Sequence, residues 1–216
     1  MSELREFYNE RKNEVEQFCI FLNKIEDDTT YSSDMSILKS QALIMIYNLI
    51  EGSINKGIEY IFDSITDCNL KHHELSDDIR VMWLRYFNLH LDDKGQNKKS
   101  LENLDKFVND IVEINLENFR KSNKSYFSSG TLDSNAIKKI LKKFSIDCNF
   151  SEYQLQIIKN DRNFLAHGEK SFTEVSQTKS TSDIDNMKNK IIDYLDKYIL
   201  LIEEYVNNEK YKKLAT

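Results

Sequence analysis

The chain has 216 residues, of which 40% are hydrophobic, and a formal net charge of −6. This length and composition provide for one sizeable hydrophobic core and exclude a disordered chain. A protein that coats nucleic acid without sequence preference is usually basic, so the acidic balance argues against that role, although a local basic cleft stays open. No apolar run approaches the ~20 residues of a membrane span, and the charged N-terminus is unlike a signal peptide. Three widely spaced cysteines are expected to be free thiols, as in a cytoplasmic protein.

Helical periodicity dominates the chain, and proline is absent. In chain order, helices are predicted at residues 2–26, about 34–65, about 75–91, 100–121, 135–144, 151–167 and from 182 onward. The polar stretches 92–99 and 121–134 are predicted to be mobile loops. Because no convincing strand, repeat or long linker is evident, residues 1–216 are predicted to form an all-α, single-domain bundle of six or seven helices. Its core is expected at about 35–205, with the helix at 2–26 packed on it.

The sixth predicted helix carries a capping signal at each end. "SEYQ", residues 151–154, fits a capping box in which Ser151 caps the helix and Gln154 reaches back to it. Gly168 stands where a helix often ends in the left-handed conformation. The sequence therefore predicts a helix that ends at His167.

The stretch "RNFLAHG", residues 162–168, closes this helix with an arginine and a histidine five positions apart. On an ideal helix such residues point about 140° apart, whereas Asn163 and His167, four apart, share a face. Asn163 is therefore predicted to hydrogen-bond to the imidazole and orient it. A second pair with the same spacing, Arg85 and His90 in "RYFNLH", has no polar residue four positions before its histidine. We interpret it as helix packing plus a surface arginine.

Two charged residues fall within apolar helical stripes. Arg162 lies on the stripe that contains Ile158 and Leu165, and Glu51 lies within the arc of Tyr47 and neighbouring isoleucines. A charge in such a place is costly unless it is paired or sits at an interface. We therefore predict a contact between Glu51 and Arg162. Spacing alone leaves open whether such a pair fixes the helix register without doing any chemistry.

Other candidate sites are weaker. The adjacent His72 and His73 would point about 100° apart on a helix, which is poor geometry for ligating one metal ion. No zinc motif, phosphate-binding loop or nucleophile elbow is present, so neither a metal nor a cofactor is predicted. The basic run "KKILKK", residues 138–143, is interpreted as a solvated helix face, with contacts to nucleic-acid phosphates as the alternative.

The longer stretch "RNFLAHGEKSFTEV" resembles the defining motif of the HEPN superfamily, which is an arginine, a polar residue, a short apolar spacer and a histidine. The resemblance extends to the helix around Glu51, to "SSGTLDSNAIKKILKKFSI" and to the last helix, and so covers about residues 35–200. It is strongest for stand-alone bacterial HEPN ribonucleases that act as toxins or defence effectors. A related branch, paired with a nucleotidyltransferase antitoxin, has a modified tyrosine where this chain has Glu169, so silencing by that route is not expected.

The resemblance implies a metal-independent endoribonuclease that works as a homodimer, with the two motifs at a shared cleft. Arg162 and His167 would be the catalytic pair and Asn163 the supporting polar residue, while an acidic residue such as Glu51 is a weaker family feature. RNA would be the substrate, and an antitoxin or another defence protein would be a further partner.

These residues suit cleavage of RNA by its own 2′-hydroxyl. Histidine transfers protons near neutral pH, and the arginine fork binds phosphate oxygens. The expected products are a 2′,3′-cyclic phosphate and a 5′-hydroxyl, and a two-fold dimer would supply both an acid and a base. Two alternatives stay open. One is a non-catalytic HEPN module that binds nucleotide, RNA or protein. The other is a structural helical protein in which Glu51 and Arg162 only set the register.

Overall fold

The protein is described by a computed structural model over residues 1–88, 116–122 and 132–213. These residues are all-helical, as predicted, and form α1 (Glu3–Ile25), α2 (Met35–Asp67), α3 (Asp77–Asn88), α4 (Leu116–Ser122), α5 (Ser134–Lys142), α6 (Gln154–Ala166), α7 (Phe172–Ser176) and α8 (Thr181–Asn207). Short 3-10 turns lie at Thr29–Tyr31 and His72–Glu74. Within the same ranges the β-structure consists of an isolated bridge between Leu75 and Lys212.

Several sequence predictions fall outside the described residues. They concern most of the predicted helix at 100–121, the loop at 92–99, most of the loop at 121–134, and the pair Arg85 and His90, of which only the backbone of Arg85 is described. None of the helices in the described ranges combines the length and apolarity needed to cross a membrane.

Helix α2 is the central element of the fold. Its predicted apolar stripe is buried throughout: Leu43, Tyr47, Ile50, Ile54, Ile58, Ile61 and Ile65. Further buried residues, among them Ile46, Leu49 and Phe62, lie on other sides of the same helix, because α1, α6, α7 and α8 all pack against it. A side chain that α2 presents to a surface site therefore stands on a rigid support.

Helix α1 packs against α2 and α8. Ser2 caps it by accepting a hydrogen bond from the backbone N–H of Arg5 at 3.2 Å. The Arg5 side chain in turn holds Glu203 of α8, with its Nε 3.0 and 3.1 Å from the two carboxylate oxygens. This half-buried ion pair joins residues that are 198 positions apart in the chain.

The close approach of α2 and α8 depends on Gly57. A Cβ atom at this position would overlap the ring and hydroxyl of Tyr198. Tyr198 is fully buried, and its hydroxyl donates a hydrogen bond to the Ile54 carbonyl at 3.0 Å. Because Gly57 has no side chain, the Tyr198 ring fits against α2, and the buried Tyr198 hydroxyl has a hydrogen-bond partner there.

Candidate active site

The site is built on α6, which packs on α2, α7 and α8 through its buried residues Leu155 and Ile158. The predicted capping box at Ser151 is wrong, because the helix begins at Gln154 and Tyr153 occupies the N-cap position without a side-chain cap. The carboxylate of Glu152 accepts the hydrogen bond of the Gln154 backbone N–H at 2.9 Å instead.

The carboxyl end of α6 has the predicted geometry. Gly168 adopts the left-handed conformation with φ +67°. Its backbone N–H donates to the Leu165 carbonyl at 3.3 Å, and the N–H of Glu169 donates to the Phe164 carbonyl at 2.9 Å. These two hydrogen bonds are a Schellman motif, which ends a helix and satisfies its last carbonyls. His167 is the C-cap residue, and its side chain is exposed to solvent.

Arg162 lies on α6 less than two turns before His167 and is half-buried. Its guanidinium carbon stands over the ring of Tyr47 of α2, 5.1 Å from the ring centroid. Its Nη1 donates to the side-chain oxygen of Asn163 at 3.4 Å. Asn163 and His167 are joined through the backbone, because the His167 N–H donates to the Asn163 carbonyl at 3.0 Å. The hydrogen bonds between described residues do not include the predicted one from the Asn163 side chain to the imidazole.

Glu51 lies near the same ring but in a different relation from the one predicted. The ion pairs between described residues do not include Glu51 with Arg162. Both charges act instead on the hydroxyl of Tyr47. Burial, and then the carboxylate of Glu51, raise the pKa of Tyr47 to about 12, while the Leu132 backbone N–H and Arg162 oppose the shift. The hydroxyl of Tyr47 is thus influenced by both of the charges that the sequence predicted to be in contact.

An ion pair between Asp161 and Lys179 holds the chain that follows the histidine. Asp161, directly before Arg162, is buried, and its Oδ2 lies 3.1 Å from Nζ of Lys179. Lys179 follows α7 and also donates to the Val175 carbonyl at 2.7 Å. The ammonium of Lys39 on α2 donates to the Lys179 carbonyl at 2.6 Å. The segment that carries His167 is therefore fastened at both ends.

Helix α5 approaches the site with its amino end. Its N-cap, Asp133, accepts from the Ala136 N–H at 2.9 Å and forms an ion pair with Lys159 of α6 at 2.8 Å. Burial alone would raise the pKa of Asp133, but Lys159 and the backbone N–H groups lower it below its usual range. Lys159 lies one turn before Arg162, so this ion pair fixes α5 beside the motif.

The weaker candidates take up other positions. His72 lies on a 3-10 turn, and its ring packs on Trp83 with centroids 5.1 Å apart. Across 1–88, 116–122 and 132–213, no group of three or more histidine, cysteine, aspartate or glutamate side chains is placed to hold a metal ion. The cysteines Cys19, Cys68 and Cys148 form no disulfide.

Sequence reasoning missed the residues that support the motif. Tyr47 was predicted only as part of the apolar stripe of α2, although the guanidinium of Arg162 packs over its ring. Asp161 and Lys179 were not singled out. An aspartate directly before the motif arginine, on a helix with apolar neighbours, was the signal that could have indicated a buried pair.

Comparison with known proteins identifies the class to which this all-helical chain belongs, which is the HEPN superfamily. The family model described as HEPN_MAE_28990-like HEPN matches residues 1–211, and the chain belongs to this family. The match includes α1, which the resemblance read from the sequence did not cover. No curated protein and no solved structure matches the chain.

Proposed function

We propose that the protein is a metal-independent endoribonuclease that acts as a homodimer, with Arg162 and His167 as its catalytic residues. The observation that carries the proposal is the placement of His167. Its imidazole is exposed at the end of a capped helix, and the cation of Arg162 lies on the same helix within two turns. A polynucleotide can therefore reach the imidazole from solvent, with the half-buried Arg162 less than two turns away on the same helix.

The proposed reaction follows from what these groups can do. One imidazole takes the proton of the 2′-hydroxyl, and the 2′-oxygen attacks the adjacent phosphorus. The bond between phosphorus and the 5′-oxygen breaks, and the leaving oxygen takes a proton from a second, protonated imidazole. Arg162 donates hydrogen bonds to the phosphate oxygens, on which charge develops. The products are a 2′,3′-cyclic phosphate and a 5′-hydroxyl.

A dimer follows from the proton count. One subunit supplies a single His167, whereas the reaction uses an acid and a base at the same phosphodiester. A two-fold axis beside the exposed end of α6 would bring two such histidines to one cleft.

Asn163 and Glu51 have supporting roles in this scheme. Asn163 orients the Arg162 guanidinium, and Glu51 shapes the local charge beside Tyr47.

The test compares the wild type with Arg162→Ala and His167→Ala on purified cellular RNA, with mapping of the RNA ends. His73→Ala and Arg11→Ala are matched controls, because both residues are exposed and distant in the chain from the motif. Loss of His167 is expected to lower the cleavage rate roughly 10²–10⁴-fold. The controls are expected to cut like the wild type, and cleavage is expected to persist in EDTA. Cleavage that His167→Ala leaves unchanged, or that EDTA abolishes, contradicts the mechanism.

The alternative is a HEPN module that binds nucleotide, RNA or a protein partner without cutting. It predicts that the wild type leaves RNA intact and that His167→Ala still binds. Within the proposed function, a cytoplasmic toxin or defence role predicts that expression of the wild type, but not of His167→Ala, arrests growth. A cognate antitoxin or defence partner would relieve that arrest.

A further inference from the structure

We infer that Tyr47 is a positioning residue for Arg162, and that its aromatic ring, not its hydroxyl, fixes the guanidinium for binding a phosphate. The inference rests on the proposed function, because it assigns Arg162 to the phosphate. It adds a residue from a different helix to a motif that lies wholly on α6.

The geometry supports this role. The guanidinium carbon of Arg162 is 5.1 Å from the centroid of the Tyr47 ring, within the range of a cation–π contact. Tyr47 is fully buried, in a helix against which five other described helices pack. A ring held in this way cannot follow a moving side chain. It restricts the arginine, which otherwise loses considerable rotamer freedom when it binds a ligand.

An aromatic support suits a phosphate-binding arginine better than a carboxylate support. A carboxylate binds the N–H edge of a guanidinium, which is the edge that phosphate oxygens use. A ring occupies the flat face, so stacking and phosphate binding are compatible. In the described part of the chain the guanidinium lies over the Tyr47 ring, and its ion pairs there do not include Glu51, one turn further along α2.

The hydroxyl of Tyr47 is not suited to proton transfer at the site. It is buried, and no group in the described part of the chain, the nearby Leu132 N–H included, meets it at hydrogen-bond distance and angle. Burial and Glu51 raise the pKa of Tyr47 to about 12, which keeps the phenol protonated at neutral pH. Its removal is therefore expected to leave the site intact, whereas removal of the ring is not.

The experiment compares Tyr47→Phe, which keeps the ring, with Tyr47→Leu, which removes it. Tyr194→Leu is the matched control, because Tyr194 is similarly buried, with a hydroxyl that also lacks a partner in the described ranges, but lies on α8. Each variant is assayed for thermal stability, kcat, KM and affinity for an RNA blocked by 2′-O-methyl groups. Relative to Tyr194→Leu, Tyr47→Leu is expected to weaken RNA affinity roughly 3- to 30-fold. Tyr47→Phe is expected to stay within about 2-fold of the wild type.

Two further measurements separate positioning from general packing and from failure of the proposed function. In an Arg162→Ala background, Tyr47→Leu is expected to have little further effect on RNA affinity. If the ring holds the guanidinium, its ring current shifts the Nε–H resonance of Arg162 upfield, so this resonance is expected to move in Tyr47→Leu and stay in Tyr47→Phe, whether or not any RNA is cut. Equal effects of Tyr47→Leu and Tyr194→Leu, equal effects of Phe and Leu at position 47, or an unmoved resonance would each overturn the inference. A wild type that cuts no RNA while the resonance moves refutes the nuclease and leaves the positioning supported.

Discussion

Gly168 shows how a single residue sets the end of the helix that carries the histidine. Its φ of +67° lies in the left-handed region, and a Cβ there would meet nothing within 4 Å. The cost of Gly168→Ala is therefore conformational, about 1–2 kcal/mol. We expect a melting temperature lower by roughly 2–8 °C, measured by circular dichroism.

A second glycine provides the control for that substitution. Gly52 lies inside α2, where an added Cβ would make an ordinary contact with Phe7 at 3.5 Å. Alanine costs less backbone entropy than glycine in a helix, so Gly52→Ala is expected to raise the melting temperature. A melting temperature that Gly168→Ala leaves unchanged or raises, as Gly52→Ala is expected to do, would contradict left-handed strain at Gly168.

At the level of residues, the sequence predicted what depends on local geometry. The left-handed glycine and the helix end at His167 follow from positions along one helix, and the structure has both. The partner of Arg162 depends on how α6 packs against α2. The sequence showed two charges in apolar stripes but not the tyrosine over whose ring Arg162 lies. Whether Arg162, His167, Asn163 and Glu51 serve catalysis stays a prediction.

The short connection from α6 to α8 depends on the ion pair of Asp161 and Lys179. The two side chains are only 13% and 15% exposed, so removing one charge leaves the other largely desolvated. Asp161→Asn is expected to destabilise the protein by about 1–3 kcal/mol and to increase amide exchange in residues 167–179. Asp185→Asn is the control, because its partner Lys188 is on the same helix. Equal exchange in both variants would show that the Asp161 pair does not hold the segment.

At the level of elements, helices with a clear apolar period were predictable, the nine-residue α5 included, whereas the five-residue α7 was not. Periodicity gave both ends of α1 and α2 and the start of α8 to within two residues, because each helix buries an apolar stripe over many turns. Helix α7 has five residues, too few for a period, although its Ser171–Glu174 capping box was readable in "SFTE". The start of α6 was misplaced because the Glu152 carbonyl, which would accept an intrahelical hydrogen bond, accepts one from the hydroxyl of Ser134, distant in sequence, at 3.0 Å.

At the scale of the whole molecule, Arg5 and Glu203 tie the first helix to the last. The hydrogen bond from Arg5 lowers the pKa of Glu203 below its ordinary 4.5, against burial, and Ser2 adds to the lowering. A carboxyl with a lowered pKa stabilises the fold fully above its unfolded pKa, and this stability is lost as the pH falls through the folded value.

Glu203→Gln is therefore expected to lower the free energy of unfolding by about 1 kcal/mol at pH 7, measured with urea. The difference from the wild type should stay constant down to about pH 4.5 and shrink below it. Glu14→Gln, which removes an exposed pair with Arg11, is the control and should change little at either pH. A Glu203→Gln deficit that grows as the solution is acidified would contradict the assigned pKa direction.

The dimer makes the most demanding prediction, because it concerns how activity depends on subunit composition. If one cleft needs His167 from both subunits, a mixed dimer of wild type and His167→Ala lacks either its acid or its base. After unfolding and refolding of equal amounts, only the pure wild-type dimers cut, which is about a quarter of the total. Independent sites in each subunit would retain about half of the activity. Refolding with Tyr194→Leu at the same ratio controls for subunit exchange, since its catalytic residues are intact. Activity that falls in proportion to the wild-type fraction, and not to its square, would place a complete site in each subunit.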